Sequence, residues 1–86
     1  MKIKKSMIKR DVAGQTVLVP FGNALKDTNG LFLVTETGSL IWDILPECET
    51  VKDIVDKILL EYEVDEEKAE KDVNKFLDEL RKYKII

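Results

Sequence analysis

The 86-residue chain has no histidine, one cysteine, two prolines, and four glycines that stand apart from one another. Each shortage removes a class of chemistry. Without histidine there is no imidazole to act as a base near neutral pH or to ligate a metal. The lone Cys48 cannot close an internal disulfide, which fits a reducing, cytoplasmic setting. Glu47 and Glu49 flank it, and negative neighbours keep a thiol protonated, so cysteine catalysis is not expected. The separated glycines make no phosphate-cradling loop, and no Asp-x-Asp-x-Asp-Gly pattern offers a calcium loop. Long apolar runs are missing too. None approaches the roughly 18 residues of a membrane span, so no membrane partner is expected. The opening MKIKKSMIKR carries charge but no apolar core or small-residue cleavage site, so a secretory signal is not expected either. Nothing activates a nucleophile or pairs an acid with a base, and the chain reads as a non-enzyme without metal or cofactor.

What remains is an ordinary folded composition. Hydrophobic residues make up 44% and charged residues 36%, which argues against disorder. The length suits one domain over residues 1–86, with a modest core that buries about 60–65% of the unfolded surface. Residues 1–6 read as a flexible basic tail. The net charge of −3 is unevenly laid out. Residues 1–10 hold five Lys or Arg and no acid, whereas residues 36–64 hold eight acids against Lys52 and Lys57.

Along the chain, Met7 to Val12 alternates weakly, Ala13-Gly14-Gln15 supplies a turn, and Thr16-Val17-Leu18-Val19 is a β-branched run ending at Pro20. This is a hairpin. Residues 21–30 read as loop, and Leu31-Phe32-Leu33-Val34 as a third strand antiparallel to the second. The period then turns helical. Thr35 or Thr37 caps a first helix bearing Leu40, Ile41, Ile44 and Leu45, with Glu36 in its first turn and Pro46 at its end. Thr50 opens a second helix, with Asp53 completing a capping box and a stripe of Val51, Ile54, Val55, Ile58, Leu59 and Tyr62. Asp65 caps a third, with stripe Ala69, Val73, Phe76, Leu77, Leu80 and Tyr83, and Ile85-Ile86 is expected to fold back onto the core. The fold class is α+β: a three-stranded antiparallel sheet followed by three helices, winged helix-turn-helix-like.

Three functional readings follow from the residues. Gly38-Ser39-Leu40 is similar to the phosphopantetheine site of carrier domains, but those are all-helical and place aspartate before the serine. A helix-turn-helix order admits a winged-helix nucleic-acid binder. Its helices are too acidic for that role, with seven acids against six bases over residues 65–86, so no nucleic acid is expected. The third reading concerns the third strand, apolar at every position with neither the charge nor the proline that usually blocks an exposed edge. Either the first strand or a second copy covers it, or it is a docking edge for an incoming peptide strand.

Over about Met7 to Ile86 the sequence resembles the PqqD-like family, the peptide chaperones of pyrroloquinoline quinone and ribosomal-peptide biosynthesis also called RiPP recognition elements. The likeness includes Val12-Ala13-Gly14 and Val17-Leu18-Val19-Pro20. It is more specific in Leu33-Val34-Thr35-Glu36-Thr37-Gly38 followed by Ile41-Trp42-Asp43-Ile44-Leu45, and it extends to Thr50-Val51, Ile54-Val55, Asp72-Val73, Phe76-Leu77 and Leu80. Two positions depart from the family: Thr35 replaces an asparagine, and Lys84 stands where glycine commonly precedes the terminal apolar pair. The resemblance implies non-catalytic binding of the leader of a precursor peptide, added as a strand beside the third strand and against the third helix. A modifying enzyme, a radical S-adenosylmethionine protein or a leader peptidase, would then act on the peptide. Carried onto this chain, the peptide-binding residues are Leu31, Phe32, Leu33 and Val34 on the edge, with Asp72, Val73, Lys75, Phe76, Leu77 and Glu79 on the helix wall. The residue types of Val73, Phe76 and Leu80 fit a plain core equally well, and Trp42 reads as a core anchor.

Overall fold

In the computed structural model, which describes residues 1–22 and 32–86, an antiparallel sheet in the order β1-β2-β3 lies against helices on one side. The strands are β1 (Met7–Val12), β2 (Gln15–Pro20) and β3 (Phe32–Val34). They are followed by α1 (Glu36–Ile44), a 3₁₀ turn (Leu45–Glu47), α2 (Val51–Glu61) and α3 (Glu66–Lys82). The expected α+β class and its order hold. Leu31 and the expected loop positions 23–30 lie outside the described residues.

The hairpin closes on the Val12–Gln15 pair through Ala13 and Gly14, both with positive φ (52° and 80°). Such turns match the twist of the strands they join. β2 pairs on its other side with β3, Val17 facing Leu33 and Leu18 facing Phe32. Because side chains alternate across a strand, Phe32 and Val34 share the helix-covered face with Leu18, and Leu33 points the other way.

Local signals set the helix starts. The Thr35 hydroxyl accepts the Gly38 amide at 3.0 Å, which selects Thr35 over Thr37 as the first cap. Thr50 and Asp53 form the full capping box. Asp65 occupies the third N-cap position, but its side chain makes no capping hydrogen bond, so that expectation is half met. Tyr62 is also displaced: α2 stops at Glu61, and Tyr62 stands at its C-cap in extended backbone. The core joins Leu18 of the sheet, Ile41 and Leu45 of α1 and the following turn, Ile54 and Ile58 of α2, and Val73, Leu77 and Leu80 of α3. Trp42 packs half-buried against it, and Cys48 is buried within it. Burial pushes the Cys48 thiol above its ordinary value, so the group is a small apolar filler.

Both chain ends are docked. Lys84 takes φ +58°, the conformation a glycine would adopt. The Ile85 amide donates to the Leu80 carbonyl at 2.8 Å and the Lys84 amide to Arg81 at 3.0 Å, a Schellman cap that buries Ile85 against the core. The departure at Lys84 therefore leaves the turn geometry intact. The Ile85 carbonyl accepts the Lys4 amide, and the Met1 nitrogen donates to the carbonyls of Leu45 and Cys48. Residues 1–6, expected as a flexible tail, lie along the body because Met1 and Ile3 alternate with lysines and turn inward onto the core. Lys9 ties β1 to α1, its ammonium 2.6 Å from Asp43 and 3.0 Å from the Ser39 hydroxyl.

Two outcomes test these local claims. Lys84→Gly should stabilise the protein by about 0.5–1 kcal/mol, because it removes the left-handed penalty at a net cost only in unfolded-chain entropy; chemical denaturation reads it. Backbone hydrogen bonds from Glu49 and Thr50 hold the Asp53 carboxyl below its ordinary value. A depressed carboxylate stabilises the fold above its unfolded pKa, and that contribution is lost as pH falls through the folded one. Asp53→Ala should therefore flatten the acid limb of the stability–pH curve and lower stability at neutral pH.

Candidate functional site

β2 occupies the centre of the sheet, so one long side of β3 is an edge, and among the described residues no element pairs with it. The first strand does not cover it. Its three residues are apolar and uncharged, and Leu33 is 66% exposed. An open edge of this kind presents unpaired amide and carbonyl groups to any extended chain that reaches it.

Beside the edge runs a groove of about 440 Å³ between β3 and α3. Phe32 and Leu33 border it on the strand side, Thr35, Thr37 and Gly38 at the entry to α1, and Lys68, Asp72, Lys75, Phe76 and Glu79 along α3. A second hollow of about 430 Å³ opens at the strand exit, between Gly14–Thr16 and Thr35–Ser39. Aromatic contacts set the spacing of strand and helix. Phe32 meets Phe76 edge-on at 6.4 Å and Tyr83 edge-on at 5.4 Å.

Gly38 makes this spacing possible. A Cβ there would sit 2.9 Å from Val34 Cγ1, so something would have to shift, and 3.0 Å from Phe76 Cε1, so the ring would have to give way by a few tenths of an ångström. Its missing side chain lets the first turn of α1 settle where β3 and α3 converge.

The structure sorts the expected site residues into three groups. Phe32, Leu33, Asp72, Lys75, Phe76 and Glu79 meet at the groove. Val34 is buried beneath the strand and borders only the second hollow. Val73 and Leu77 do not reach the groove: both are fully buried, because they fall on the inward side of α3 with Ala69 and Leu80. Leu31 lies outside the described residues. Lys68, Thr35, Thr37 and Gly38 also border the groove, and none of them is among the expected binding residues. The signal for Lys68 was present, since it precedes Asp72 by four positions and Lys75 by seven and so shares their helix face.

Ser39, the residue of the carrier reading, has its hydroxyl in contact with Lys9, and the sheet ahead of it has no counterpart in an all-helical carrier domain. Among the described residues no group of His, Cys, Asp and Glu could hold a metal ion, and no helix is long and apolar enough to cross a membrane.

Fold and groove together define a small α+β domain in which the β3 edge of the sheet is walled by the last helix. A family model described as coenzyme PQQ synthesis protein D (PqqD) matches residues 15–86, and the chain belongs to that family. Among solved structures the chain is similar to TbiB1 in complex with the TbiA(beta) leader peptide. The two share 30% identity over 99% of this chain and 93% of that one, with a TM-score of 0.72. No curated protein matches.

The close approach at Gly38 yields a prediction. Alanine favours a helix over glycine by about 1 kcal/mol, but overpacking a core costs about 1–3 kcal/mol. Gly38→Ala should therefore be destabilising by about 1 kcal/mol net, and Gly38→Val by clearly more. Denaturant midpoints of the two variants measure this; a more stable alanine variant would mean that Val34 and Phe76 yield without strain.

Proposed function

We propose that this protein binds the leader region of a ribosomally synthesised precursor peptide as an added strand along β3, and presents it to a peptide-modifying enzyme without itself catalysing a reaction. The observation that carries this reading is the unpaired apolar edge of β3 beside the groove to α3, on a fold that in a similar protein is found with a leader peptide. Main-chain hydrogen bonds along the edge supply affinity, and the groove receives alternate side chains of the added strand.

The contact residues on this reading are Phe32 and Leu33 on the edge, with Asp72, Lys75, Phe76 and Glu79 on the wall. Val34, Val73 and Leu77 support them from inside. The receiving enzyme is a radical S-adenosylmethionine protein or a leader peptidase, and the setting is cytoplasmic. The winged-helix nucleic-acid alternative has no observation in its favour. α3, the helix that would enter a groove in DNA, opens with Glu66 and Glu67 and carries Asp72, Asp78 and Glu79.

The test is a titration with the leader of a precursor peptide encoded beside this chain. Amide resonances of Phe32–Val34 and of α3 should shift, and those of the basic residues 2–10 should stay still. Methylating the leader's backbone nitrogens one at a time should weaken binding at every second position, because only alternate amides of an added strand face the edge. Uniform loss, or none, would show that the peptide does not bind as a strand.

A further inference from the structure

The proposed reading leaves open which leaders fit, and the charges on the groove side of α3 bear on that choice. Lys68, Asp72, Lys75 and Glu79 all border the groove, and their spacing of four, three and four residues keeps them on one helix face. The first two neutralise each other, with the Lys68 ammonium 2.9 Å from Asp72. Lys75 and Glu79 have the same four-residue spacing, yet neither takes part in an ion pair among the described residues. The wall thus has a self-neutralised half and a half that offers one positive and one negative charge to whatever enters.

The direction of the wall is fixed by its contacts. Phe32, the first residue of β3, touches Tyr83 near the end of α3, and Val34, the last, converges with Phe76 at Gly38. The helix therefore runs against β3. A strand added antiparallel to β3, the pairing that β2 already makes and the more stable of the two, runs in the same direction as α3. Four helical residues rise about 6.0 Å. Two strand residues rise about 6.6–6.8 Å, and they carry consecutive side chains on one face. The two repeats differ by less than 1 Å, well within the reach of long side chains.

We propose that Lys75 and Glu79 select leaders by charge register, favouring an acidic residue followed two positions later by a basic one, Asp/Glu-x-Lys/Arg, on the side of the added strand that faces α3. The inference rests on the strand-addition reading. Both groups are exposed, so each matched pair is worth about two- to fivefold in affinity and weakens with salt.

The experiment pans a phage-displayed library of random dodecapeptides against the full chain and against the doubly swapped variant Lys75→Glu/Glu79→Lys. The wild type should enrich Asp/Glu-x-Lys/Arg, and the swapped variant should enrich Lys/Arg-x-Asp/Glu. A synthetic peptide from the first set should bind the swapped variant about tenfold more weakly, recover when its own two charges are exchanged, and lose most of this preference in 1 M salt. The two proteins should melt at the same temperature, since both side chains lie at the surface. Peptides that bind both proteins equally, with alternate sensitivity to backbone N-methylation, would overturn the charge register and leave strand addition standing. Enrichment of the base-first order by the wild type would overturn the proposal as stated. A library from which nothing binds the wild type would overturn the register and strand addition together.

Discussion

The contact on which the groove depends is the one at Gly38, where α1, β3 and α3 come within van der Waals distance at a single point. Val34 reaches it from the strand and the Phe76 ring from the last helix, and the absence of a side chain leaves room for both. Thr35, one residue beyond β3, caps the helix that carries Gly38, so the strand and α1 join without an intervening loop. A larger residue at 38 would have to push α1 off the sheet or tilt Phe76 outward. Either shift would alter the distance between β3 and α3, which Phe32 spans through its contacts with Phe76 and Tyr83. The width of the groove is thus set from its floor, by packing, and does not depend on the charged residues at its rim.

An open apolar edge is normally a liability, since it can pair with any exposed strand. Two features limit it here. Among the described residues β3 spans three positions, and few main-chain bonds are open to a stray partner along them. The charges of α3 stand beside it, so an incoming chain must satisfy the wall as well as the edge. The same division gives a binding module its two properties: main-chain pairing is indifferent to sequence, and selectivity comes from what the neighbouring helix accepts.

Much of this fold was legible in the sequence because its signals are local. The Ala-Gly turn between a weakly alternating run and a β-branched one, the Thr50–Asp53 box and the three-and-four spacing of apolar residues each act within a few residues of chain. The strand order followed from the hairpin. What the sequence did not disclose depends on contacts between distant parts. Residues 1–6 look like a solvated tail when their lysines are counted, but Met1 and Ile3 alternate with those lysines and find the core beside Ile85 and Leu45. Lys84 departs from the residue that its turn favours, and the turn forms regardless because burying Ile85 outweighs the strain at one backbone position. Asp65 has the right residue type for a cap and does not use it.

Which of the expected residues border the groove and which lie inside follows from the period of α3. The resemblance carries Val73 and Leu77 to the wall, whereas at 3.6 residues per turn they fall on the inward side of α3. Applied strictly, that period assigns 68, 72, 75, 76 and 79 to the groove and 69, 73, 77 and 80 to the core, which is how the structure divides them. Phe76 sits where the two sets meet, half-buried, touching Phe32 on one side and the Gly38 contact on the other. A residue in that position transmits core packing to the groove directly. Changes inside the core at Val73 or Leu77 would therefore reach the groove through Phe76, whereas changes at Lys75 or Glu79 would act on an entering chain alone. On the proposed reading, stability and selectivity are carried by different faces of the same helix.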